Sequence, residues 1–345
     1  MKTFTLKVEA IKNENKDTLT LCFRQPAIRK LKYQAGQYLS MSFILNGRKH
    51  VRPYSFSSSP SVDSLIETTV KKIPNGVVSN YVHEKVKVGD VIEVSGPMGD
   101  FIYAEDDFYE EIFFWGAGSG ITPLISIIKE ILVTNTLVNV NLIYGNKNSE
   151  STIFLDLINE LNFKYSEKLT VWYFNSQHSV EENNNFHRNG RISKQDIFEL
   201  LKNKNILRTK HFICGPRDLK IMLSEALYEI KCPVENIYSE EFELVTNLKD
   251  FENIENREVA IKYLKNEFLV LVEKGKSVLE SVLEQGIDLP HSCQTGNCSE
   301  CKGIAKEGDL KMIGLSKERN DLNNNEFLLC CSHPLKDGVK IEIRN

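Results

Sequence analysis

The stretch LPHSCQTGNCSEC, residues 289–301, contains three of the chain's eight cysteines: Cys293, Cys298 and Cys301. Four residues separate the first two cysteines and two residues separate the last two. An adjacent pair, Cys330 and Cys331, follows further along the chain. A C-x4-C-x2-C run with one distant cysteine is a spacing that binds a [2Fe–2S] cluster, so this stretch predicts a cluster-binding loop.

The distant ligand is left open by the residues alone, because Cys330 and Cys331 are neighbours. Successive side chains of an extended strand face opposite ways, so only one of the two is expected to point at the cluster. Four cysteines also suit structural zinc, but zinc sites usually contain two short Cys pairs. The spacing therefore favours iron–sulfur over zinc.

The uneven distribution of the cysteines also bears on the compartment. A disulfide framework would spread them, and the N-terminus, MKTFTLKVEAIKNENK, lacks the apolar core of a signal peptide. We expect a cytoplasmic protein with reduced thiols. The net charge of −4 provides no basic surplus for phosphates, so nucleic acid is not an expected partner.

Outward from the cysteines, the 345 residues are predicted to form a multidomain chain. Residues 258–345 contain strand patterns (EVAIKYL, EFLVLVEK, VKIEIRN) and a helix pattern (SVLESVLEQG) around the cysteine loop, which indicates a small α+β domain. The polar stretch 243–257 is predicted to be a linker. Residues 105–242 alternate apolar strands with helices, as in an α/β domain with a parallel sheet, and SVEENNNFHRNG, 179–190, is predicted to be a loop.

Residues 1–104 have an all-β pattern. Five short runs rich in β-branched residues are separated by Pro, Gly, Asn and Asp: TLKVEAIKN, DTLTLCFRQ, GQYLSMSFI, LIETTVKKI and DVIEVSGPM. This pattern predicts an antiparallel β-barrel with one short helix near Ser79–Glu84.

One uncharged stretch, from Ile112 to Ile128, is close to the length of a membrane span. Three glycines and Pro123 interrupt it, which favours a buried strand, a tight turn and the start of a helix. We therefore expect no membrane span.

Two polar segments of the all-β region could hold a phosphorylated cofactor. In the segment RPYSFSS, 52–58, Arg52 could clamp a diphosphate, Tyr54 could cover a flat ring and Ser55 could bond a ring nitrogen. In the second segment, Gly76 to Ser79 could open a helix whose amides receive a phosphate. On their own, Arg52 could equally form a surface ion pair and Tyr54 could be a core aromatic residue.

The α/β region has a glycine-rich turn, GAGSGITP, 116–123, after an apolar strand. Its glycines would let backbone approach a dinucleotide, although the G-x-G-x-G spacing differs from the common G-x-G-x-x-G fingerprint. A second strand ends in Cys214-Gly215-Pro216, and the ends of such strands are where α/β sheets bind ligands. A lone Cys214 could equally be a small buried apolar residue.

Taken together, R-x-Y-S-x-x-S, G-x-x-S and GPMGDF (96–101) resemble the flavin barrel of the ferredoxin–NADP reductase superfamily. The resemblance implies that Arg52 and Pro53 lie at the FAD pyrophosphate, Tyr54 against the isoalloxazine and Ser55 near flavin N5. Gly76, Val78 and Ser79 would hold a phosphate. The intact motif pair favours FAD over FMN.

The glycine turn and Cys-Gly-Pro resemble the nicotinamide domain of the same superfamily. The resemblance assigns NADH or NADPH binding to the first motif (Gly116, Gly118, Gly120, Thr122 and Pro123) and to the second (Gly215 and Pro216). It implies that Cys214 lies near nicotinamide C4 without acting as a nucleophile. Glu240-Glu241-Phe242 resembles the segment that closes this domain, with Glu240 at the reaction site and Phe242 shielding the flavin.

The C-terminal segment resembles a plant-type ferredoxin domain with an L-x-C-x-x-x-P pattern, and the resemblance implies a β-grasp-like α+β fold. Leu328, Cys330 and Pro334 match that pattern, which makes Cys330 the fourth ligand beside Cys293, Cys298 and Cys301. Three cysteines then remain as packing residues: Cys22, Cys232 and Cys331.

In their order the three segments resemble the reductase components of multicomponent oxygenases, in particular the reductase subunits of the phenylacetyl-CoA epoxidase family. The resemblance implies electron flow from NAD(P)H to FAD, then to [2Fe–2S], then to an oxygenase component. Alternatives are the reductase of a Rieske dioxygenase or of another electron-accepting partner, and a redox-sensing module without enzymatic turnover.

Overall fold

The computed structural model describes residues 2–25, 30–104, 108–135, 137–177, 186–244, 246–315 and 318–343. The chain divides into two units. One comprises Met1–Met41 and Tyr54–Glu240, and the other comprises Ser42–Pro53 and Glu241–Asn345. The second unit thus includes an excursion from the N-terminal region, whereas the predicted domain limits follow the chain without interruption; those limits stay a prediction.

Six strands form the N-terminal sheet: β1 (Thr3–Asn15), β2 (Thr18–Arg24), β3 (Tyr38–Leu45), β4 (Arg48–Ser55), β5 (Ile66–Lys71) and β6 (Val91–Met98). Their order is β4-β3-β6-β1-β2-β5. Strand β1 runs antiparallel to β2 and β6, and β2 runs antiparallel to β5. A bridge between Phe56 and Thr68 joins the segment after β4 to β5. The predicted antiparallel barrel is confirmed, and helix α1 (Val77–Lys85) covers the predicted short helix.

Alternating residues build the start of this sheet. In β1, Phe4, Leu6 and Val8 are buried while the residues between them are exposed, because neighbouring strand side chains face opposite ways. Strand β2 is buried over Thr18–Phe23, so both of its faces are covered. The apolar runs of the sequence are therefore strand interiors.

Strand β4 was not among the five predicted runs. It forms a hairpin with β3 through Asn46 and Gly47, whose φ values of 52° and 74° suit the two-residue turn that joins antiparallel strands. Its polar start, Arg48-Lys49-His50, hides the strand pattern. The candidate flavin residues thus lie on the outgoing strand of a tight hairpin.

The second sheet is parallel, as predicted. Its strands are β7 (Glu111–Ala117), β8 (Asn139–Asn146), β9 (Leu169–Asn175), β10 (His187–Asn189), β11 (Thr209–Cys214) and β12 (Ile237–Glu240), in the order β10-β9-β8-β7-β11-β12. Each neighbouring pair is parallel. Four helices connect them: α2 (Ile121–Thr134), α3 (Leu155–Lys164), α4 (Lys194–Leu201) and α5 (Arg217–Glu229).

Strand β7 shows how the two faces of this sheet are covered. Ile112 and Phe114 pack in a core that includes α2 and α3, whereas Phe113 and Trp115 pack in a core that includes α4 and α5. Because both faces are buried, the strand has a continuous apolar sequence. The uncharged stretch from Ile112 is therefore strand, turn and helix, as predicted, and no helix in the described residues is long and apolar enough to cross a bilayer.

The predicted loop 179–190 is only partly described, because residues 179–185 lie outside the described residues. Within its remainder, His187–Asn189 form β10, which pairs with Tyr173–Asn175 of β9. The loop prediction is wrong for these three residues. Their strand form comes from pairing with β9 and not from an apolar pattern.

The C-terminal region contains helix α6 (Val278–Glu284) and seven strands: β13 (Arg257–Tyr263), β14 (Asn266–Val272), β15 (Lys302–Glu307), β16 (Leu310–Met312), β17 (Glu326–Leu328), β18 (Ser332–Pro334) and β19 (Val339–Ile343). One sheet has the order β14-β13-β19-β15-β17, and β16 pairs with β18. Val278, Leu279 and Val282 of α6 pack on the sheet. The predicted α+β fold is confirmed.

The predicted linker, 243–257, is ordered against this domain where it is described. It forms a short 3-10 helix, Leu248–Phe251, whose N-terminus is capped by Asn247. The ring of Phe251 meets the ring of His333 edge-on, with centroids 5.1 Å apart, and Ile254 is buried. The segment is thus packed as part of the C-terminal unit.

Candidate functional site

Strand β4 presents the candidate flavin residues along one edge of the first sheet. Ser55, its last residue, is buried, while Arg52, Pro53 and Tyr54 are half-buried. Arg52 Nη1 donates to the carbonyl oxygen of Val51 at 2.8 Å. A guanidinium has five N–H donors, so this bond orients the group and leaves capacity for a diphosphate.

The serines that follow β4 form hydrogen bonds that fix the segment after this strand. Ser58 Oγ bonds Tyr33 Oη at 2.6 Å and accepts from the backbone N of Glu67 at 2.9 Å. Ser57 Oγ accepts from Thr69 Oγ1 at 3.0 Å. These buried hydroxyls tie the segment after β4 to β5, which holds Ser55 and Tyr54 in place.

The candidate phosphate residues lie at the start of α1. Gly76 is the N-cap residue, and none of the described side chains caps this helix end. A Cβ at Gly76 would lie 2.4 Å from Ser79 Oγ, and that hydroxyl accepts from the backbone N of Ile73 at 3.2 Å. Gly76 and Ser79 therefore shape the turn, and the first amides of the helix can receive an anion.

The candidate nicotinamide residues meet at the carboxyl edge of the parallel sheet. Gly116 of β7 is in register with Cys214 of β11, and Cys214 is in register with Glu240 of β12. The structure thus brings three predicted residues from three strands into one row, where α/β folds bind ligands. Cys214 is fully buried and Glu240 is half-buried.

Close packing explains the glycines of this edge. A Cβ at Gly120 would lie 2.1 Å from the carbonyl oxygen of Cys214, and a Cβ at Gly215 would lie 3.2 Å from the backbone N of Ala117. Gly118 has φ +54°, a left-handed conformation that favours glycine. The two motifs are therefore a single packed turn.

Thr122 and Pro123 lie in the first turn of α2, where proline is tolerated. Thr122 Oγ1 donates to the carbonyl oxygen of Ser119 at 3.0 Å. Pro216 precedes α5 as its N-cap residue. Phe242 belongs to the other unit, two residues beyond Glu240, and is 44% exposed.

Tyr144, which by resemblance lies near the adenosine ribose, also supports this edge through a hydrogen bond that the sequence did not reveal. It is fully buried beside Gly116, and its Oη donates to the carbonyl oxygen of Gly118 at 2.9 Å. Burial raises the pKa of Tyr144, so the phenol keeps the proton that it donates. An apolar strand pattern gives no signal for this bond.

The cysteine loop brings four thiols together as two pairs. The thiols of Cys293 and Cys298 are within hydrogen-bonding distance of each other, as are those of Cys301 and Cys330. The hydrogen bond from the Cys298 thiol lowers the pKa of Cys293, which favours a thiolate there. A binuclear cluster needs two thiolates for each iron, so this arrangement fits [2Fe–2S] chemistry.

Backbone amides of the same loop point at sulfur. The backbone N of Cys293 donates to Cys298 Sγ at 3.4 Å, and that of Thr295 donates to Cys293 Sγ at 3.4 Å. Such bonds favour the charged form of the thiols and tune a bound cluster. A Cβ at Gly296, which has φ +79°, would lie 2.3 Å from Leu315 Cδ2.

Cys330 and Cys331 lie on a 3-10 helix, Leu329–Cys331, and not on the extended strand that was expected. Cys331 Sγ donates to the carbonyl oxygen of Leu328 at 3.3 Å, whereas the thiol of Cys330 contacts that of Cys301 as well as that of Cys331. The geometry therefore favours Cys330 as the fourth ligand. All eight cysteines, each among the described residues, are free thiols.

Arg319 is a second contributor that the sequence did not reveal. Its Nη1 donates to the carbonyl oxygen of Gly296, and its Nη2 donates to Ser299 Oγ at 2.5 Å. Asp321 holds the same guanidinium through Nε and Nη2, at 2.8 and 2.7 Å. The arginine thus braces the loop on either side of Cys298.

Comparison with protein families assigns three consecutive domains. Residues 5–103 match the oxidoreductase FAD-binding domain, residues 114–224 the oxidoreductase NAD-binding domain and residues 264–335 the 2Fe-2S iron-sulfur cluster binding domain. The fold and these matches define an oxidoreductase that uses FAD, a nicotinamide nucleotide and a [2Fe–2S] cluster.

Comparison with characterised proteins extends this likeness to the whole chain. The chain is 30% identical to one of the subunits of 1,2-phenylacetyl-CoA epoxidase from Escherichia coli (strain K12), covering 99% of this chain and 98% of that protein. It is 29% identical to the ferredoxin reductase component of 3-ketosteroid-9-alpha-monooxygenase of Mycolicibacterium smegmatis, covering 97% and 96%. The chain belongs to this family of three-domain reductases.

Among solved structures, phthalate dioxygenase reductase has the same fold along its length. The TM-score is 0.69 at 19% identity, covering 99% of this chain and 98% of that chain. The multidomain architecture of this chain is thus the one found in phthalate dioxygenase reductase.

Proposed function

We propose that this reductase passes electrons from NAD(P)H through FAD and the [2Fe–2S] cluster to an oxygenase component, of the kind that hydroxylates or epoxidises a phenylacetyl-CoA-type substrate. The 30% identity to a protein of the phenylacetyl-CoA epoxidase complex, over nearly the whole of both chains, supports this partner. The proposal includes a cytoplasmic location, since free thiols suit a reducing compartment.

The observation that carries the proposal is the paired arrangement of Cys293 with Cys298 and of Cys301 with Cys330. When bound, FAD supplies the conversion between hydride and single-electron chemistry, and the cluster supplies single-electron carriage. We assign these four thiols as the cluster ligands. Arg319 and the loop amides stabilise the charge that they hold.

The flavin residues have binding and orienting tasks in this proposal. Arg52 binds the pyrophosphate with Pro53 fixing the strand, Tyr54 covers the ring and Ser55 hydrogen-bonds near N5. Gly76, Val78 and Ser79 hold the phosphate at the start of α1, where amides are available.

The nicotinamide residues orient the second nucleotide. Cys214 and Glu240, in register at the carboxyl edge, lie beside the reacting ring. The glycines of the turn let the backbone approach the phosphates of the nucleotide. Gly215, Pro216, Thr122 and Pro123 keep that turn rigid. Phe242 would shield the face of the flavin at which the nicotinamide binds.

Acceptor specificity is the direct test. The purified protein is mixed with NADH or NADPH and with the oxygenase component of a phenylacetyl-CoA epoxidase, and nucleotide oxidation coupled to product formation is measured. We expect turnover with that component. Reduction of ferricyanide or cytochrome c without reduction of the oxygenase would contradict the proposed partner.

A second candidate partner is a steroid or ring-hydroxylating oxygenase, including the Rieske type. The 29% identity to a 3-ketosteroid-9-alpha-monooxygenase reductase component favours including it. Coupled turnover with that oxygenase, and none with the epoxidase component, would establish this second function. Absence of turnover with any acceptor, in protein that contains both the flavin and the cluster, would support a redox-sensing role.

A further inference from the structure

Gln294 directly follows Cys293 and has an unusual backbone. Its φ is +59°, in the left-handed region that non-glycine residues seldom adopt. Strained backbone of this kind persists where the surroundings enforce it, and it is often found at functional sites.

The side chain of Gln294 reaches strand β4. Its Nε2 donates to the carbonyl oxygen of Val51 at 3.1 Å. Both residues belong to the C-terminal unit, because residues Ser42–Pro53 of the β3–β4 hairpin group with it. The cysteine loop is therefore bonded to the strand on which the candidate flavin residues lie.

The accepting carbonyl is shared with Arg52. Arg52 Nη1 donates to the same Val51 oxygen at 2.8 Å, so both lone pairs of that oxygen are used. The Val51 oxygen thus holds two side chains: Arg52, which is assigned to the FAD pyrophosphate, and Gln294, which is next to the cluster ligand Cys293.

Strand β4 is held in place around this contact. Val51 is buried, and the hairpin closes through the Asn46–Gly47 turn. Gln294 therefore bonds to a strand that is itself held in place.

We propose that Gln294 is a positioning residue for electron transfer: it aligns the Cys293 end of the cluster with the flavin strand. The inference rests on the proposed function. The step it serves moves one electron, lost by reduced flavin and gained by the oxidised cluster, and no bond forms or breaks. Its rate therefore depends on how the two carriers are placed.

The test uses Gln294→Met, which keeps the side-chain length and removes the donor. Anaerobic mixing with NADH or NADPH resolves flavin reduction from the following cluster reduction. We expect flavin reduction and the cluster's midpoint potential to be unchanged, and cluster reduction to slow by roughly ten- to a hundredfold, as small misplacements do.

Gln285→Met is the matched control. Gln285 Nε2 also donates to a strand carbonyl in the same unit, that of Leu271 at 3.4 Å, but it lies outside the cysteine loop. We expect both phases of this variant to match the wild type. Cluster reduction at the wild-type rate in Gln294→Met would overturn the inference, as would equal slowing in the control.

If Gln294→Met does not retain its iron, Gln294→Asn tests the positioning role instead. This variant keeps the amide, suits a left-handed backbone and falls one methylene short of Val51. Slow cluster reduction with normal iron content supports the inference. Normal cluster reduction, or loss of iron here too, overturns it. A wild-type cluster that neither nucleotide reduces would contradict the proposed function instead.

Discussion

The glycine turn after β7 and the cysteine loop before β15 are candidate cofactor sites built by opposite means. The turn is made by removing side chains: a Cβ at Gly120 would strike the Cys214 carbonyl 2.1 Å away. The loop is made by adding them: Cys293 and Cys298 supply sulfur while Arg319 braces the backbone between them. A site of the first kind fails when an atom is added, and a site of the second kind fails when one is lost.

The largest effect is expected from removing a ligand of the loop. In Cys330→Ser the thiol that contacts Cys301 is lost, and we expect the cluster to be absent. In Cys331→Ser the affected thiol bonds the Leu328 carbonyl, so the cluster should be retained. Iron content and the visible spectrum of the purified variants measure both. A cluster present in Cys330→Ser and absent in Cys331→Ser would reverse the ligand assignment.

The next largest effect is expected from adding an atom to the turn. In Gly120→Ala the new methyl group displaces the end of β11, at a cost of about 1–3 kcal/mol of stability. Flavin reduction by the nicotinamide nucleotide should slow roughly a hundredfold, since the row of binding residues shifts.

Gly116→Ala gives the graded comparison for that turn. Its Cβ would lie 2.9 Å from Leu124 Cδ1, the end of a flexible side chain, so the loss should be smaller. Thermal unfolding and stopped-flow flavin reduction measure the two variants. Equal losses would show that packing against Cys214 is not what makes Gly120 necessary.

Arg319 sharpens the comparison, because it supports the loop without supplying a ligand. In Arg319→Gln the bonds to Gly296 and Ser299 are weakened and a positive charge is lost. Supporting residues of this kind are worth roughly 10- to 100-fold in metal affinity, so iron release to a chelator should be faster by that factor. The midpoint potential should become more negative.

Arg319→Lys separates charge from geometry. It keeps the positive charge and loses the planar fork that reaches two acceptors. We expect its potential to stay near that of the wild type while iron release remains fast. A potential as negative as that of Arg319→Gln would mean that the fork, and not the charge, tunes the cluster.

The smallest effect is expected at Tyr144. Tyr144→Phe removes only the hydrogen bond to the Gly118 carbonyl, at a cost of about 1 kcal/mol. If that cost falls on nucleotide binding, KM for the nucleotide rises about fivefold. Tyr228→Phe, at a tyrosine that is 81% exposed, is the control and should match the wild type. An unchanged KM and melting temperature would show that the turn is rigid without Tyr144.

The two sites also differ in how far sequence predicts them. The row of Gly116, Cys214 and Glu240 follows from parallel strands that end at one edge, so the motifs are enough to predict it. The contacts of Gln294 and Arg319 join residues that are distant in the sequence. The identity of a glutamine or an arginine does not predict which residue it will contact. Pattern reasoning detects periodicity and local turns, not such pairings.

Strand β4 shows a feature that was predictable and not predicted. Asn46-Gly47 is a strong signal for a two-residue hairpin, and a hairpin requires the strand that begins at Arg48. The polar start of that strand concealed it. In contrast, β10 has only three residues and owes its form to β9, so nothing local predicts it.

The grouping of the β3–β4 hairpin with the C-terminal unit determines which segments of such reductases should be exchanged together in a chimera. A chimera that replaces only residues 258–345 would set a new cysteine loop against a hairpin that was not selected with it. Residues Ser42–Pro53 and the C-terminal unit are better transplanted together, because Val51 and Gln294 are bonded to each other. The unit that must be exchanged as a whole is thus discontinuous in the gene, although it forms one compact unit of the structure.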